Sequence, residues 1–251
     1  MSAPPLLLHA ANPGPLTGRG NNTWLLDGGV PALVDAGVGA AAHVDAIAKA
    51  LGGRPLARVL ITHGHADHSS GVPALRARWP ALEIFKWPLP GERGSRTLTE
   101  GRTLRAGNDR LTVVHTPGHA PDHVCFWRAG TRELFAGDMV VAGATVMIPA
   151  GRGGNLREYL ASLARIRALD AARIFPGHGP VIDRPAEIVD EYLAHRALRE
   201  RQVVACLEDG IADVEAIVAR IYPDLAEPLR AAARLTIEAH LEKLREEGRA
   251  R

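Results

Sequence analysis

Three of the eleven histidines in this chain lie within six consecutive positions, in the segment A-R-V-L-I-T-H-G-H-A-D-H-S-S-G. They are His63, His65 and His68, and Asp67 precedes the last of them. Small residues separate the first three of these four side chains, so a tight turn can direct several ring nitrogens and a carboxylate at one point. Imidazole and carboxylate together are typical ligands of borderline metal ions such as zinc. The segment therefore predicts a metal-binding turn; the alternative is a solvated polar turn that holds three histidines by chance.

Three further segments present a metal-capable side chain in a similar context. Each has a short apolar run followed by a glycine and then the candidate ligand: L-T-V-V-H-T-P-G-H ends at His119, E-L-F-A-G-D at Asp138 and A-R-I-F-P-G-H at His178. Glycine allows a sharp turn and leaves room for the backbone to approach a metal site closely. Four distant segments with the same residue types at the same place form a more specific signal than any one alone.

Strands must position these side chains. The runs before the candidate ligands are apolar and rich in β-branched residues, which predicts short buried strands. Near the start, L-L-L-H-A, N-N-T-W-L-L-D and A-L-V-D-A-G predict three more. Because ligands gather at the carboxyl ends of strands in α/β sheets, we expect the four segments to converge at one edge.

Helical patterns lie between and after the strands. Residues 40–52 are Ala-rich with a helical apolar stripe, and we expect His43 on this helix to be exposed. Asn155 is a suitable N-cap for a second helix. From Pro185 onward the pattern is entirely helical and predicts three helices, the last beginning at Leu225.

The composition is ordinary for a soluble globular protein, with 46% apolar residues, 23% charged residues and a net charge of +2. This charge gives no global field that would favour nucleic acid or a membrane surface. Two cysteines, Cys125 and Cys206, form no disulfide framework. The start of the chain lacks a basic signal-peptide region, and the stretch Met139–Ala150 is shorter than the ~18 residues a membrane span needs. We therefore expect a cytoplasmic protein without a membrane partner.

These motifs resemble those of the metallo-β-lactamase superfamily, and within it the β-lactamase-like protein 2 group. The resemblance rests on H-x-H-x-D-H, N-N-T-W-L, H-T-P-G-H-x-x-D-H, F-x-G-D, F-P-G-H-G-P and Y-L-A-H-R-A-L-R-E-R-Q. It implies an α/β fold, namely a four-layer αββα sandwich over residues 1–183. Residues 184–251 would form a small helical, winged-helix-like module.

The resemblance also implies roles for the candidate ligands. His63, His65 and His119 would hold a first zinc ion. A second zinc ion would be held by Asp67, His68 and His178, and Asp138 would bridge both ions. Asp35 is either a turn residue or a group that orients the site from behind. His115 and His123 match family motif positions and are either substrate-contacting or proton-transferring groups or hydrogen-bonded core histidines.

Two zinc ions per chain predict a hydrolase. A water molecule shared by two metals ionises near neutral pH, so the expected nucleophile is a metal-bridging hydroxide, and Asp67 is expected to accept its proton. Asp67 and Asp138 are thus the predicted catalytic carboxylates. Asp138 stands where zinc-dependent β-lactamases usually have cysteine, which disfavours antibiotic hydrolysis. The resemblance implies endoribonuclease-like cleavage of a phosphodiester in single-stranded RNA.

Other functions remain open. A thioester or lactone hydrolase of the glyoxalase II or acyl-homoserine lactonase kind has the same metal set and would act on a small ester-like substrate. A persulfide dioxygenase shares T-H-x-H-A-D-H but uses one iron ion, and His178 argues against it. A winged-helix regulator with a vestigial metal domain is disfavoured because every proposed ligand is intact.

The C-terminal module has its own ambiguity. From Arg199 onward it contains slightly more acidic than basic residues, which does not suit a broad phosphate-binding face. The module is therefore either an RNA-binding element or a packing or dimerisation element that would form a homodimer.

Overall fold

The computed structural model describes residues 3–14, 17–91, 93–143 and 145–250. Two β-sheets pack face to face, and helices cover the outer face of each. The strands are β1 Leu6–His9, β2 Asn22–Leu26, β3 Ala32–Val34, β4 Arg58–Leu60, β5 Glu83–Lys86, β6 Arg96–Thr97, β7 Thr103–Ala106, β8 Asp109–His115, β9 Val124–Arg128, β10 Glu133–Gly137 and β11 Arg173–Pro176. The helices are α1 Ala41–Leu51, α2 Ala66–Ser69, α3 Val72–Arg78, α4 Leu156–Ala168, α5 Pro185–Glu208, α6 Val214–Ile221 and α7 Arg230–Glu246.

The first sheet has the strand order β1-β2-β3-β4-β5-β6, and the second has the order β11-β10-β9-β8-β7. In the first sheet the strands from β3 to β6 are parallel. In the second, β8 and β10 each pair antiparallel with β9, and β11 pairs parallel with β10. Strands β8, β10 and β11 therefore run in the same direction, so the chain leaves all three at the same edge.

Three apolar cores separate the four layers. The central core lies between the sheets and includes Trp24, Phe85, Phe126 and Phe135. A second core lies between the first sheet and helices α1 and α3. A third lies between the second sheet and helices α4 and α5. The order of layers is helix, sheet, sheet, helix, which confirms the predicted αββα sandwich.

A separate apolar cluster joins the second half of α5 to α6 and α7. The first half of α5 instead packs on the sandwich through Val189 and Tyr192. The helix therefore belongs to both regions, and the predicted division at residue 183 stays a prediction. The last helix begins at Arg230 after a 3-10 turn, Glu227–Leu229, and not at Leu225 as predicted. The reason is that Pro228 has no backbone N–H to donate within a helix.

The prediction that His43 is exposed on α1 was wrong. His43 is 1% exposed, and its Nε2 lies 2.8 Å from the Thr23 hydroxyl. It precedes the buried Ile47 and Leu51 at intervals of four residues, so it lies on the core side of α1. Burial lowers the pKa of His43 to about 4. The N-cap prediction for Asn155 is confirmed, because its side chain accepts a hydrogen bond from the backbone N–H of Glu158.

No helix within the described ranges is both long enough and apolar enough to cross a membrane.

Candidate metal centre

The seven predicted ligands lie together at one edge of the sandwich, beyond the ends of four strands. The turn after β4 and helix α2 carries four of them, so the first sheet supplies His63, His65, Asp67 and His68. The second sheet supplies the rest from the segments that follow β8, β10 and β11, namely His119, Asp138 and His178. Sites of this kind form where strand ends meet, and here the ends of two sheets face each other.

One set of side chains, which we call the three-histidine half, consists of His63, His65 and His119. The Nδ1 atom of His65 lies 2.9 Å from Nε2 of His63 and 3.0 Å from Nε2 of His119. These three nitrogens belong to a group of potential ligand atoms that all lie within 4.8 Å of one another. Three imidazole nitrogens converging on one point match the ligand set of many zinc sites.

A second set, the carboxylate half, consists of Asp67, His68 and His178. Oδ2 of Asp67 lies 3.6 Å from Nε2 of His68 and 3.4 Å from Nε2 of His178. The potential ligand atoms of this set also lie within 4.8 Å of one another. It adds an oxygen to two nitrogens, a combination that zinc, iron and manganese all accept.

Asp138 lies between the two halves. Its Oδ1 is 3.3 Å from Nε2 of His68 and 3.4 Å from Nε2 of His178, and its Oδ2 is 3.7 Å from Nε2 of His119. The two oxygens of one carboxylate therefore face different halves. This arrangement fits the predicted bridging position.

The hydrogen bonds behind the histidines leave the inward nitrogens available. Nδ1 of His68 contacts the Asp35 carboxylate at 2.8 Å, and Nδ1 of His119 contacts the Met147 carbonyl at 2.9 Å. Both partners only accept, so each Nδ1 donates, and in the neutral ring Nε2 then carries a free lone pair. His68 Nε2 and Asp138 Oδ1 are buried without a well-aligned hydrogen bond to any described residue. Such orphaned polar atoms are costly unless a cation occupies the space between them, so the donor set fits a metal ion.

Asp35 lies behind the carboxylate half, which is the position expected of a group that orients the site. One oxygen accepts from the Thr62 backbone N–H at 2.8 Å, and the other faces His68. Its backbone adopts a φ of 63°, a left-handed conformation that aspartate and asparagine tolerate better than most residues. The strained turn at the end of β3 thus directs the carboxylate toward His68.

His123 is buried and both ring nitrogens are used. Nδ1 lies 2.8 Å from the Thr116 hydroxyl, and Nε2 accepts the backbone N–H of Asp138 at 3.2 Å. Burial lowers the pKa of His123 well below its usual value, consistent with the neutral ring these contacts require. His123 therefore fixes the turn that carries Asp138 and has no nitrogen left for a substrate.

His115 is not brought into the cluster. Its ring stacks on Trp87 with 3.8 Å between centroids and an interplanar angle of 3°. Its Nε2 contacts the Pro121 carbonyl at 3.1 Å. These contacts give His115 a packing role at the end of β8.

Two asparagines of the N-N-T-W-L motif have roles that the sequence did not predict. The Asn21 amide donates to Oδ2 of Asp67 at 2.8 Å. The Asn22 amide donates to the carbonyls of Pro176 and Gly179, and the Trp24 indole also donates to Pro176. The motif therefore holds both the Asp67 carboxylate and the loop that carries His178. The only signal in the sequence was the pairing of two polar residues at the start of an apolar strand.

Gly177 leaves the space that the carboxylate half needs. A Cβ atom there would lie 2.6 Å from Oδ1 of Asp138 and 2.7 Å from Cε1 of His68. Contacts this short do not occur in folded proteins, so any other residue would displace a candidate ligand.

The charges of the site reinforce each other. Burial raises the pKa of Asp138. The charge of His68 and the hydrogen bond of His178 outweigh burial and hold this pKa well below its usual range. Burial lowers the pKa of His68, but Asp138 and Asp35 outweigh it and raise this pKa well above the usual value. Burial lowers the pKa of His63 well below its usual value. Burial therefore favours the neutral ring of His63, which belongs to the three-histidine half.

A cleft of about 420 Å³ opens onto the cluster. The candidate ligands form one side of it. The other side is largely apolar and consists of Val141, Thr145, Val146, Met147, Pro149 and Arg152. Apart from the candidate ligands, Arg152 is the only charged side chain among the described residues that line the cleft. The cleft therefore suits a substrate with an apolar part next to the bond that reacts.

Comparison with known protein families matches two regions of the chain. The model of the Metallo-beta-lactamase superfamily matches residues 16–178, which include all seven predicted ligands. The model of the Beta-lactamase associated winged helix domain matches residues 214–251. Helix α5 lies between the two matched regions.

Individual proteins give a similar result. The chain is 32% identical over 249 residues to the Beta-lactamase-like protein 2 homolog of Caenorhabditis elegans, a match that covers 94% of this chain and 82% of the relative. It is 34% identical over 205 residues to an Atrochrysone carboxyl ACP thioesterase of Aspergillus chevalieri, covering 80% of this chain and 65% of that relative. The crystal structure of a metallo-beta-lactamase family protein from Thermus thermophilus is similar with a TM-score of 0.80 and 25% identity, and the match covers 97% of this chain and 94% of that one.

Proposed function

The chain belongs to the metallo-β-lactamase superfamily, and from that premise we propose that it is a binuclear zinc hydrolase of thioesters or esters with an apolar acyl group. The observation that carries this proposal is the cleft, whose lining combines the candidate ligands with a largely apolar set of side chains. The similarity to a relative named as an acyl carrier protein thioesterase supports the same substrate class.

The residues of the three-histidine half and the carboxylate half would each hold one zinc ion, with Asp138 common to both. Bound there, two metal ions would polarise the substrate carbonyl and make a water molecule acidic enough to attack at neutral pH. In the reaction the water oxygen bonds to the carbonyl carbon, the bond to sulfur or oxygen breaks, and the leaving group receives a proton.

In this proposal Asp67 accepts the proton of the attacking water. Its side chain is 31% exposed, whereas that of Asp138 is 13% exposed, so Asp67 is the more accessible carboxylate in the cleft. Partial burial raises its pKa, but hydrogen bonds from His178 and Asn21 and the charge on His68 outweigh this and hold the pKa of Asp67 below its usual range. The carboxylate is therefore ionised at neutral pH, the form in which it can bind a metal ion and receive a proton, and its low pKa means that it would pass such a proton on rather than keep it.

Arg152 can give the enzyme a preference for substrates with an anionic group. A guanidinium group at the side of an apolar cleft binds carboxylate or phosphate with good geometry. Thioesters of acyl carriers contain such a phosphate, which agrees with the proposed substrate class.

Hydrolysis of single-stranded RNA is the second candidate. This is the activity that the resemblance to the β-lactamase-like protein 2 group implies, and the chain is 32% identical to a relative of that name over 94% of its length. Binding of single-stranded RNA generally needs several basic and aromatic side chains along a groove. Arg152 is the single basic side chain, and the histidines are the only aromatic rings, among the described residues of the cleft.

The experiment compares both candidates on one preparation of zinc-loaded protein. Acetyl- and octanoyl-N-acetylcysteamine test thioester hydrolysis, and an end-labelled single-stranded RNA tests phosphodiester cleavage, each with a chelator control. We expect faster hydrolysis of the octanoyl thioester than of the acetyl thioester. Chelator-sensitive RNA cleavage without thioester hydrolysis would reverse the order of the two candidates.

Metal analysis of the protein as purified, before any zinc is added, tests the cofactor. Two zinc ions per chain would agree with the proposal, whereas a single iron ion would favour the dioxygenase alternative. We also propose a cytoplasmic location. Its support is that Cys125 and Cys206 are both buried and unpaired, as expected in a reducing compartment.

A further inference from the structure

The motif Y-L-A-H-R-A-L-R-E-R-Q on α5 lies outside the metal centre, yet two of its residues contact the wall of the cleft. Tyr192 and Arg196 are four residues apart and therefore lie on the same face of the helix. The segment they contact, between Val141 and Pro149, contains no helix or strand among its described residues. Its backbone N–H and C=O groups must therefore form hydrogen bonds with groups other than those of a neighbouring strand or helical turn.

Tyr192 holds the start of this segment. Its hydroxyl accepts the backbone N–H of Val141 at 3.0 Å and donates to the carbonyl of the same residue at 2.9 Å. One side chain thus replaces both hydrogen bonds that a neighbouring strand would have provided. Val141 lines the cleft, so the position of Tyr192 determines where this part of the wall stands.

Arg196 holds the middle of the segment. Its guanidinium group donates to the carbonyl of Val146, which also lines the cleft. The guanidinium carbon lies 5.6 Å from the centre of the Tyr159 ring. Arg196 is 2% exposed, and within the described residues no carboxylate lies at ion-pair distance from it. A buried cation without a counter-charge destabilises a fold, so packing alone does not account for it.

The other half of the motif faces the C-terminal module. The Arg199 guanidinium lies 4.2 Å from the centre of the Tyr222 ring. The Glu200 carboxylate contacts Lys243 at 2.7 Å and Arg249 at 2.8 Å. Helix α5 therefore contacts the cleft wall through Tyr192 and Arg196, and one turn later it contacts the C-terminal module through Arg199 and Glu200.

We propose that Tyr192 and Arg196 are specificity-determining positioning residues that hold the apolar cleft wall for the acyl group. The C-terminal module then acts on substrate selection through α5 and not by touching the substrate. The part of this inference that names an acyl group rests on the proposed function. The part that says α5 holds the cleft wall rests only on the contacts of α5.

The test uses the full-length, zinc-loaded protein and the variants Tyr192→Phe, Arg196→Met and Arg196→Lys. Arg201→Met is the matched control, because it removes an exposed guanidinium from the opposite face of the same helix. The readouts are kcat and KM for acetyl- and octanoyl-N-acetylcysteamine, bound zinc, and amide hydrogen exchange across residues 139–149.

We expect Arg196→Met to raise KM for the octanoyl thioester about tenfold, the effect of losing one hydrogen bond from a charged donor. KM for the acetyl thioester and bound zinc should change little, and exchange across 139–149 should increase. Arg196→Lys should restore part of the octanoyl preference. Tyr192→Phe removes a single oxygen atom and should give the same pattern even if Arg196→Met does not fold.

Equal effects of Arg196→Met and Arg201→Met, or unchanged exchange across 139–149 in Tyr192→Phe, would overturn the inference. If the wild-type protein hydrolyses neither thioester, the proposed function fails. The exchange measurement still decides whether α5 holds the wall in that case.

Discussion

The two halves of the candidate metal centre are built from different supporting groups. In the three-histidine half, the nitrogens behind His63 and His119 contact a hydroxyl, that of Thr62, and a carbonyl, that of Met147. In the carboxylate half, the partner behind His68 is the charged Asp35, and the ligand Asp67 itself carries a charge. Formal negative charge is therefore concentrated on one side of a site that is only a few ångströms wide.

This difference has a chemical consequence. Three neutral imidazoles favour borderline ions such as zinc, whereas a half with carboxylate oxygen and extra negative charge also accepts harder ions such as manganese or ferrous iron. We therefore expect the three-histidine half to be the more selective and the carboxylate half the more dependent on its surrounding charges. The following substitutions test this asymmetry, from the largest expected effect to the smallest.

Asp138→Ala should have the largest effect, because it removes the one carboxylate that faces both halves. We expect activity to fall by about a thousandfold or more, since metal ions contribute several kcal/mol to transition-state stabilisation. Bound zinc should fall to about one ion per chain. Steady-state kinetics with plasma mass spectrometry measures both quantities. Full activity with unchanged metal content would reject the bridging position.

His119→Ala and His178→Ala form a matched pair, since each removes one imidazole from one half. Each should lose one metal ion and reduce activity by about a hundredfold or more, as expected when part of the metal contribution is lost. The metal retained by His178→Ala should be zinc even when manganese is in excess, while His119→Ala should exchange zinc for manganese. Metal analysis after dialysis against mixed ions distinguishes them. If both variants keep the same metal, the halves do not differ in selectivity.

Asp35→Asn should affect the carboxylate half more than the three-histidine half, because Asp35 contacts His68 directly but His63 only through the Thr62 hydroxyl. Asparagine tolerates the left-handed backbone at this position, so the substitution removes charge with little change of shape. We expect metal affinity of the carboxylate half to fall about 10- to 100-fold, the usual effect of losing a partner behind a ligating histidine. Competition with a chromophoric chelator measures it. Asp122→Asn is the control, because Asp122 is equally buried but pairs with Lys86 and not with a ligand.

Asn21→Ala should have the smallest effect. It removes one amide donor to Asp67, a half-buried carboxylate, so the net loss corresponds to about two- to tenfold in metal affinity. The three-histidine half should be unaffected. Asn108→Ala, at the turn before β8, is the comparison variant. An effect as large as that of Asp35→Asn would mean that Asn21 also holds the Asp67 turn.

Much of this site could be predicted because its ligands occur in local motifs. The segments around His63, His119, Asp138 and His178 each combine a strand pattern with a turn, and the structure places their atoms together. That they bind metal stays a prediction. The αββα order was predictable in the same way, since the apolar runs have the length of buried strands and the periodicity of α1 and α4 is regular.

The supporting residues could not be predicted, because they act over long separations in sequence. Asn22 bonds to a carbonyl 154 positions away, and Tyr192 to one 51 positions away, so no local pattern connects them. The same holds for the different fates of His115 and His123, which lie in one motif but face a tryptophan and a metal-ligand turn respectively. The buried position of His43 was predictable, since 43, 47 and 51 follow a strict interval of four residues.

The origin of the ligands on both sheets has a consequence for folding. The turn after β4 and helix α2 supply four of them and the second sheet supplies three, so each half of the site draws ligands from both sheets and an ion bound there would cross-link the sandwich. Because the unfolded chain does not bring these segments together, each metal ion stabilises the native state by about 2.7 kcal/mol at a free concentration 100 times its Kd. Without bound metal, the contacts between the two sheets should be weakest along this edge. A newly made chain would acquire its final rigidity only on taking up metal, which makes metal supply a determinant of how much folded protein a cell retains.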